Sequence, residues 1–220
     1  INNVLKSLID LKNIKENNSS IKALAYQLYE NNGVLKREQV SEYLKNLQQN
    51  ERKILRDLGV KFGRYHVFLH QLIKPEPVSL RTLLWKNFHQ KFHNLQPPTF
   101  GLNFLDDKQK RNKDFMLLCG FEKFDSFFVR IDILERLFVL IINLSLKENT
   151  EIKIVPEMLN LLGCSKDNFK KLLQRMNYKI FEKEDESYFK YNPTKKFKKI
   201  PAKKITDENP FKILKNLNLS

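Results

Sequence analysis

Only two cysteines, six glycines and one tryptophan occur among the 220 residues. Cys119 and Cys164 lie far apart and form no C-x-x-C, so neither a disulfide framework nor a zinc knuckle is indicated, and a reducing, cytoplasmic setting fits. The glycines build no G-x-x-x-x-G-K-[ST], no G-x-G-x-x-G and no G-x-S-x-G, which excludes the usual phosphate cradles and the nucleophile elbow. Gly59 and Gly63 have neither a following Lys-Ser/Thr nor a helix starting at once, so they are not a P-loop. Long apolar runs are missing too. The most apolar stretch, Ile131 to Leu146, contains Asp132, Glu135 and Arg136 and is too short and too charged to span a bilayer. No signal-peptide pattern opens the chain, which begins on Ile and reads as a piece of something longer.

Acidic charge is the remaining shortage. Twenty-five Asp+Glu stand against 40 Lys+Arg, giving a formal net charge of +15 and a pI near 9.7. That balance favours a polyanionic partner such as nucleic acid. The excess is spread along the chain: the stretch from Lys36 to Lys91 is net positive, and Asn192 to Ile205 holds Lys195, Lys196, Lys198, Lys199, Lys203 and Lys204 with no acid. A lysine run of this kind is a solvated arm that adds salt-sensitive, sequence-independent affinity for nucleic acid.

Apolar spacing predicts two helices over about Ile21 to Gln49, joined by a turn at "NNGV", and a third over Glu51 to Leu58 that Gly59 stops. Val60 to Leu69 favours extended chain, and Gly63-Arg64 suits the turn of a short hairpin. "KPEP" releases a helix from Val78 to about His93, with Leu80, Leu83, Leu84 and Phe88 on one face. "NLQPPTFG" and the charged "DDKQKRNKD" read as a linker. Beyond it the order of Gly, aromatic strand and Leu-rich helix recurs. Gly59 aligns with Gly120, Val60 with Phe121 and Val67 with Phe128, either as two related half-units or by chance.

The sharpest local pattern is "VPEMLNLLGCSKDNFKKLLQRMNYKI". Pro156 suits a first helical turn, Gly163 a tight turn and Ser165 an N-cap. Leu159, Leu162, Phe169, Leu172, Leu173 and Met176 would pack two helices together and leave Lys166, Lys170, Lys171 and Arg175 outside, a helix-turn-helix pattern. Tyr178 to Phe181 and Tyr188 to Tyr191 follow as the strands of a wing whose tip, "EKEDES", is acidic and would repel phosphate. The helix is therefore the expected nucleic-acid contact, and docking of a protein is the competing use of the same geometry. His66/His70 and His89/His93 each stand four apart, but no H-E-x-x-H or thiolate partner accompanies them, so no metal is assigned.

In combination, "LRDLGVKFGRYHVFLHQLIKPEPVSLRTLLW", "GFEKFDSFFVRIDILERL", "LNLLGCSKDNFKKLLQRMNYKIF" and "NPFKIL" resemble the C-terminal region of a bacterial family of DExH-type helicases. That family is related to the mitochondrial degradosome RNA helicase of the suppressor-of-Var class. The resemblance covers about Leu44 to Leu217 and departs at His70, where family members usually read Pro. It implies an accessory, non-catalytic region that packs on upstream RecA-like motor domains, with ATP and Mg bound only there. Its implied partners are single-stranded RNA or DNA and a nuclease, with no membrane.

The expected fold is mainly α with short β-hairpins (α+β). A helical subdomain with a hairpin would cover 1–95, a linker 96–114, a winged-helix-like subdomain 115–192 and a Lys-rich tail 193–220. The expected nucleic-acid contacts are Lys166, Lys170, Lys171, Arg175, Lys195, Lys196, Lys198 and Lys199, with Lys61 and Arg64 secondary. A protein-interaction scaffold without nucleic-acid contact is the alternative, and a free-standing winged-helix transcription factor a third.

Overall fold

The computed structural model describes residues 3–15, 19–108, 110–145 and 151–191. The described chain is α+β and builds three small antiparallel sheets, each of three strands. Helix α1 (Lys6–Lys12) packs on α2 (Ser19–Glu30), which buries Ile21, Leu24, Ala25 and Leu28 at the i, i+3, i+4, i+7 spacing of one helical face. Strand β1 (Val34–Lys36) follows, then α3 (Ser41–Asn46), α4 (Gln49–Asp57) and a hairpin of β2 (Val60–Phe62) and β3 (His66–Leu69). A second unit runs through α5 (Pro75–Phe88), β4 (Phe104–Asp106), α6 (Lys113–Leu118), β5 (Phe121–Phe124) and β6 (Phe127–Arg130). The third contains α7 (Ile131–Ser145), β7 (Ile152–Lys153), α8 (Pro156–Leu162), α9 (Lys166–Arg175), β8 (Tyr178–Lys183) and β9 (Glu186–Tyr191).

One plan is used three times. A helix leads to a short strand, one or more helices follow, and a hairpin closes the unit. The short strand pairs with the second arm of the hairpin, giving the orders β1-β3-β2, β4-β6-β5 and β7-β9-β8. Registers agree in detail. Lys36 lies opposite His66 and Asp106 opposite Phe127, and the next residue donates its N–H one step beyond the paired strands, Arg37 to Tyr65 and Asp107 to Ser126, each at 2.8 Å. Aligning Gly59 with Gly120 and Val67 with Phe128 therefore superposes strand on strand, and the plan extends to a third unit.

The residue ahead of each hairpin explains part of this. Gly59 (φ 92°), Gly120 (φ 85°) and Asn177 (φ 65°) are left-handed, the conformation that ends a helix and turns the chain into the first strand. Glycine adopts it without strain and Asn tolerates it.

The structure changes several expectations. Val34–Lys36 is a strand rather than the start of a second helix, because pairing with β3 outweighs the local preference of three residues. The segment expected as a linker, 96–114, holds β4 and the opening of α6, and β4 pairs with β6. Helix α5 begins at Pro75 and buries Pro77, Val78, Arg81 and Thr82, whereas Leu83, Leu84 and Phe88 are exposed. The buried guanidinium of Arg81 explains the rotated face: it donates to the carbonyls of Asn32 (2.6 Å), Leu72 (2.6 Å) and Leu118 (2.8 Å), joining the first two units. The helix-turn-helix follows the sequence reading closely. Pro156 opens α8, Gly163 is left-handed at its end, and the Ser165 hydroxyl accepts from the Asn168 N–H at 3.3 Å. The tail from 193 onward lies outside the described residues.

The repeated turn has a measurable consequence. Alanine at Gly59 meets only ordinary contacts and adds backbone strain of about 1–2 kcal/mol. At Gly120 the new Cβ would also lie 2.8 Å from Ile73 Cγ2, so Gly120→Ala costs more than Gly59→Ala in urea unfolding.

Candidate nucleic-acid interface

The three units meet at a buried polar junction. Helix α7 carries Glu135, whose carboxylate accepts from the backbone N–H groups of Arg64, Tyr65 (2.9 Å) and His66 (2.8 Å) at the tip of the first hairpin. Successive amides turned toward one point make an anion-binding concavity, and here the chain's own carboxylate fills it. Gly63 permits the approach, since a Cβ there would lie within 3.0 Å of the Glu135 carboxylate.

Beside it, buried His66 places Nε2 3.2 Å from Glu122 Oε2 and Nδ1 3.5 Å from Glu135 Oε1. Lys36 Nζ lies 2.7 Å from Glu122 Oε1. The network thus draws Lys36 and His66 from the first unit, Glu122 from β5 of the second and Glu135 from the third. Burial alone would lower the His66 pKa, but the hydrogen bond to Glu122 and the Glu135 carboxylate beside Nδ1 outweigh it and raise the value. Burial alone would raise Glu122, yet its hydrogen bonds to His66 and Lys36 hold it below the usual carboxylate range. Buried charges persist when each is paired, and removing one partner strands the other. The Tyr65 hydroxyl is pushed upward by burial and by its hydrogen bond with Tyr178, so it stays neutral.

Above this junction opens a cleft of about 490 Å³. Its walls include Lys36, Arg37, Arg64, Tyr65, Phe124 and Arg175, with Glu38 and Glu122 as the acids. Arg37 donates from Nη1 to the Gly63 carbonyl at 2.7 Å, and the guanidinium of Arg64, an exposed residue, lies 5.7 Å from the centre of the Phe138 ring. A neighbouring cleft of about 540 Å³ is lined by Asp125, Ser126, Phe127, Lys171, Gln174 and Arg175. Arg175 borders both, so the outer face of α9 runs past the second hairpin toward the first.

This geometry sorts the residues expected to contact nucleic acid. Lys166 and Lys171 are exposed on α9. Lys170 pairs with Glu182 of the third hairpin at 2.6 Å, and Arg175 pairs with Asp125 of the second. Arg64 sits at the first hairpin tip, in the same cleft as Arg175, whereas Lys61 is exposed on β2 outside both clefts. Lys195, Lys196, Lys198 and Lys199 lie outside the described residues. Part of the third hairpin's acidity is used internally, Glu182 with Lys170 and Glu186 with Lys153, and its Lys183 pairs with Glu151. The sequence reading missed Lys36, Arg37, Glu122 and Glu135 as members of one site. The available signal was Glu122 between the aromatics of "FEKF" and Glu135 within the largely aliphatic "IDILERLF".

Among the described residues no group of three His, Cys, Asp or Glu side chains is placed to hold a metal ion. His89 packs against Trp85, Phe88 and Phe92 instead. No described helix is long and apolar enough to cross a membrane. No protein-family model, curated protein or solved structure matches the chain.

The junction sets a pH window. With its pKa raised in the fold, His66 contributes stability that is complete below its usual 6.5 and lost as pH rises through the higher folded value. Glu122, with its pKa lowered, contributes above its usual 4.5 and loses that contribution as pH falls through the lower folded value. Both contributions are therefore complete between pH 4.5 and 6.5. In urea unfolding across pH 4–9, the wild type loses stability on the alkaline side of this window, and His66→Gln removes that decline.

Proposed function

We propose that this chain is the non-catalytic accessory region of an ATP-dependent RNA helicase of the DExH type, contributing nucleic-acid binding and packing on the motor domains. In this reading each of the three units is a winged helix, with the short strand and hairpin as wing and the helix before the hairpin as the element that meets the ligand. The observation that carries it is the cationic outer face of α9, where exposed Lys166 and Lys171 lead to Arg175 and the paired clefts. The overall charge of +15 supports the same partner. So does the resemblance, whose first three blocks fall on α4 to α5, on β5 to α7 and on α8 to β8, which carry His66, Glu122, Glu135 and α9. ATP and Mg chemistry belongs, on this proposal, to the upstream motor. Single-stranded RNA is the favoured ligand, and the setting is the cytoplasm.

A second reading has its own observation. Leu83, Leu84 and Phe88 of α5 are 53%, 43% and 84% exposed, an apolar face suited to a protein partner such as the motor or a nuclease. The two roles use different faces and are compatible.

Fluorescence anisotropy with a labelled single-stranded oligoribonucleotide separates them. Affinity falls linearly on a log–log plot against salt, and Lys166→Gln with Lys171→Gln lowers the slope by about 0.7 for each phosphate that is no longer neutralised. Phe88→Asp leaves that affinity unchanged. No binding at low salt would sink the nucleic-acid role and leave the scaffold.

A further inference from the structure

The cleft between the first hairpin and the end of α9 combines features that neither the net charge nor the α9 face requires. Its cations come from two distant parts of the chain, Lys36, Arg37 and Arg64 from the first unit and Arg175 from the third. The Glu135 cradle holds them together by fixing the hairpin tip against α7. Their availability differs. Lys36 is committed to Glu122, Arg175 is paired with Asp125, and Arg37 spends one N–H on Gly63. Arg64 is an exposed residue, its guanidinium over the Phe138 ring and in no ion pair among the described residues. Of the two acids on the walls, Glu122 is neutralised by Lys36 and His66, which leaves Glu38 as the opposing charge. Partly exposed Phe124 and Tyr65 face the same space.

Guanidinium groups beside aromatic rings match a phosphodiester with unpaired bases better than a duplex, whose bases are already stacked on one another. A volume near 490 Å³ falls in the range of sites that enclose a small organic group and is too small for a folded partner. We infer that this cleft is a second contact for a single strand leaving α9, with a phosphate on Arg64 and Arg37 and a base against Phe124. The assignment rests on the nucleic-acid reading of α9 and adds a path. The strand crosses Lys171 and Arg175, passes between the second and first hairpins and ends at the Arg64 tip.

The full 220-residue chain is tested with oligouridylates of increasing length, from 3 to about 12 nucleotides, some carrying a photoreactive 4-thiouridine at one end. The path predicts a gain in affinity once the strand is long enough to leave α9, and crosslinks to Tyr65 or Phe124 with the long oligomer. Arg64→Gln abolishes most of that gain and lowers the salt slope of the long oligomer by about 0.7, while leaving the urea midpoint unchanged. Binding that depends on Lys166 and Lys171 but gives no crosslink in the cleft, and no response to Arg64→Gln, overturns the path and leaves the α9 reading standing. Absence of binding at every length overturns both. The wild-type crosslinks decide the matter should Arg64→Gln disturb the fold.

Discussion

A carboxylate on one helix and three amides on a distant hairpin satisfy each other, and the arrangement of the three units depends on that exchange. The Glu135 carboxylate is buried and would lack hydrogen-bond partners without these donors, while the N–H groups of Arg64, Tyr65 and His66 turn toward it and would lose their acceptor without it. Neither half is stable in its place alone. Glu122 extends the contact to the second unit through His66 and Lys36. Arg81 makes a separate joint from α5, its guanidinium shared by carbonyls of the first two units. Apolar contact fills the remaining space, with Val34, Phe68, Ile73 and Ile131 forming a small shared cluster. Such polar joints are directional, which fixes the angle between units as well as their contact.

That angle matters because the proposed ligand path is assembled from separate units. Arg64 and Arg175 are distant in sequence, and only the packing of α7 under the first hairpin brings them to one cleft. Charge on the surface is more committed than the overall excess implies. Lys170, Arg175, Lys153 and Lys183 all pair with acids of the second and third units. Exposed pairs of this kind contribute little to stability and are readily exchanged for phosphate. Lys166, Lys171 and Arg64 are then the cations best placed to meet a strand first.

Local signals in the sequence were readable where a short range of residues decides the outcome. Pro156, Gly163 and Ser165 mark the ends of α8 and α9, and Gly59 and Gly120 mark the entry to two hairpins, because a cap or a left-handed turn is a property of a few residues. The third copy was hidden, since its left-handed position is Asn177 and breaks the glycine pattern. Strand β1 was hidden for another reason: three residues carry almost no periodicity, and pairing with β3 makes them a strand. The exposed face of α5 inverted the expected one because a buried arginine, counted as polar, occupies the core side. As for the candidate site, the basic face of α9 and Arg64 were visible, whereas the junction was not. A glutamate in an apolar run announces a buried partner without naming it, and the partner here is backbone amide more than 60 residues away.

Amide hydrogen exchange at the first hairpin tip addresses this dependence most directly. Turn amides normally exchange quickly, but those of Arg64, Tyr65 and His66 should be protected in the wild type and become unprotected in Glu135→Ala, while α9 keeps its own protection. Affinity for a long single strand should fall in parallel. Fast exchange of the three amides in the wild-type protein, or unchanged protection without the Glu135 carboxylate, would contradict the cradle and the arrangement built on it.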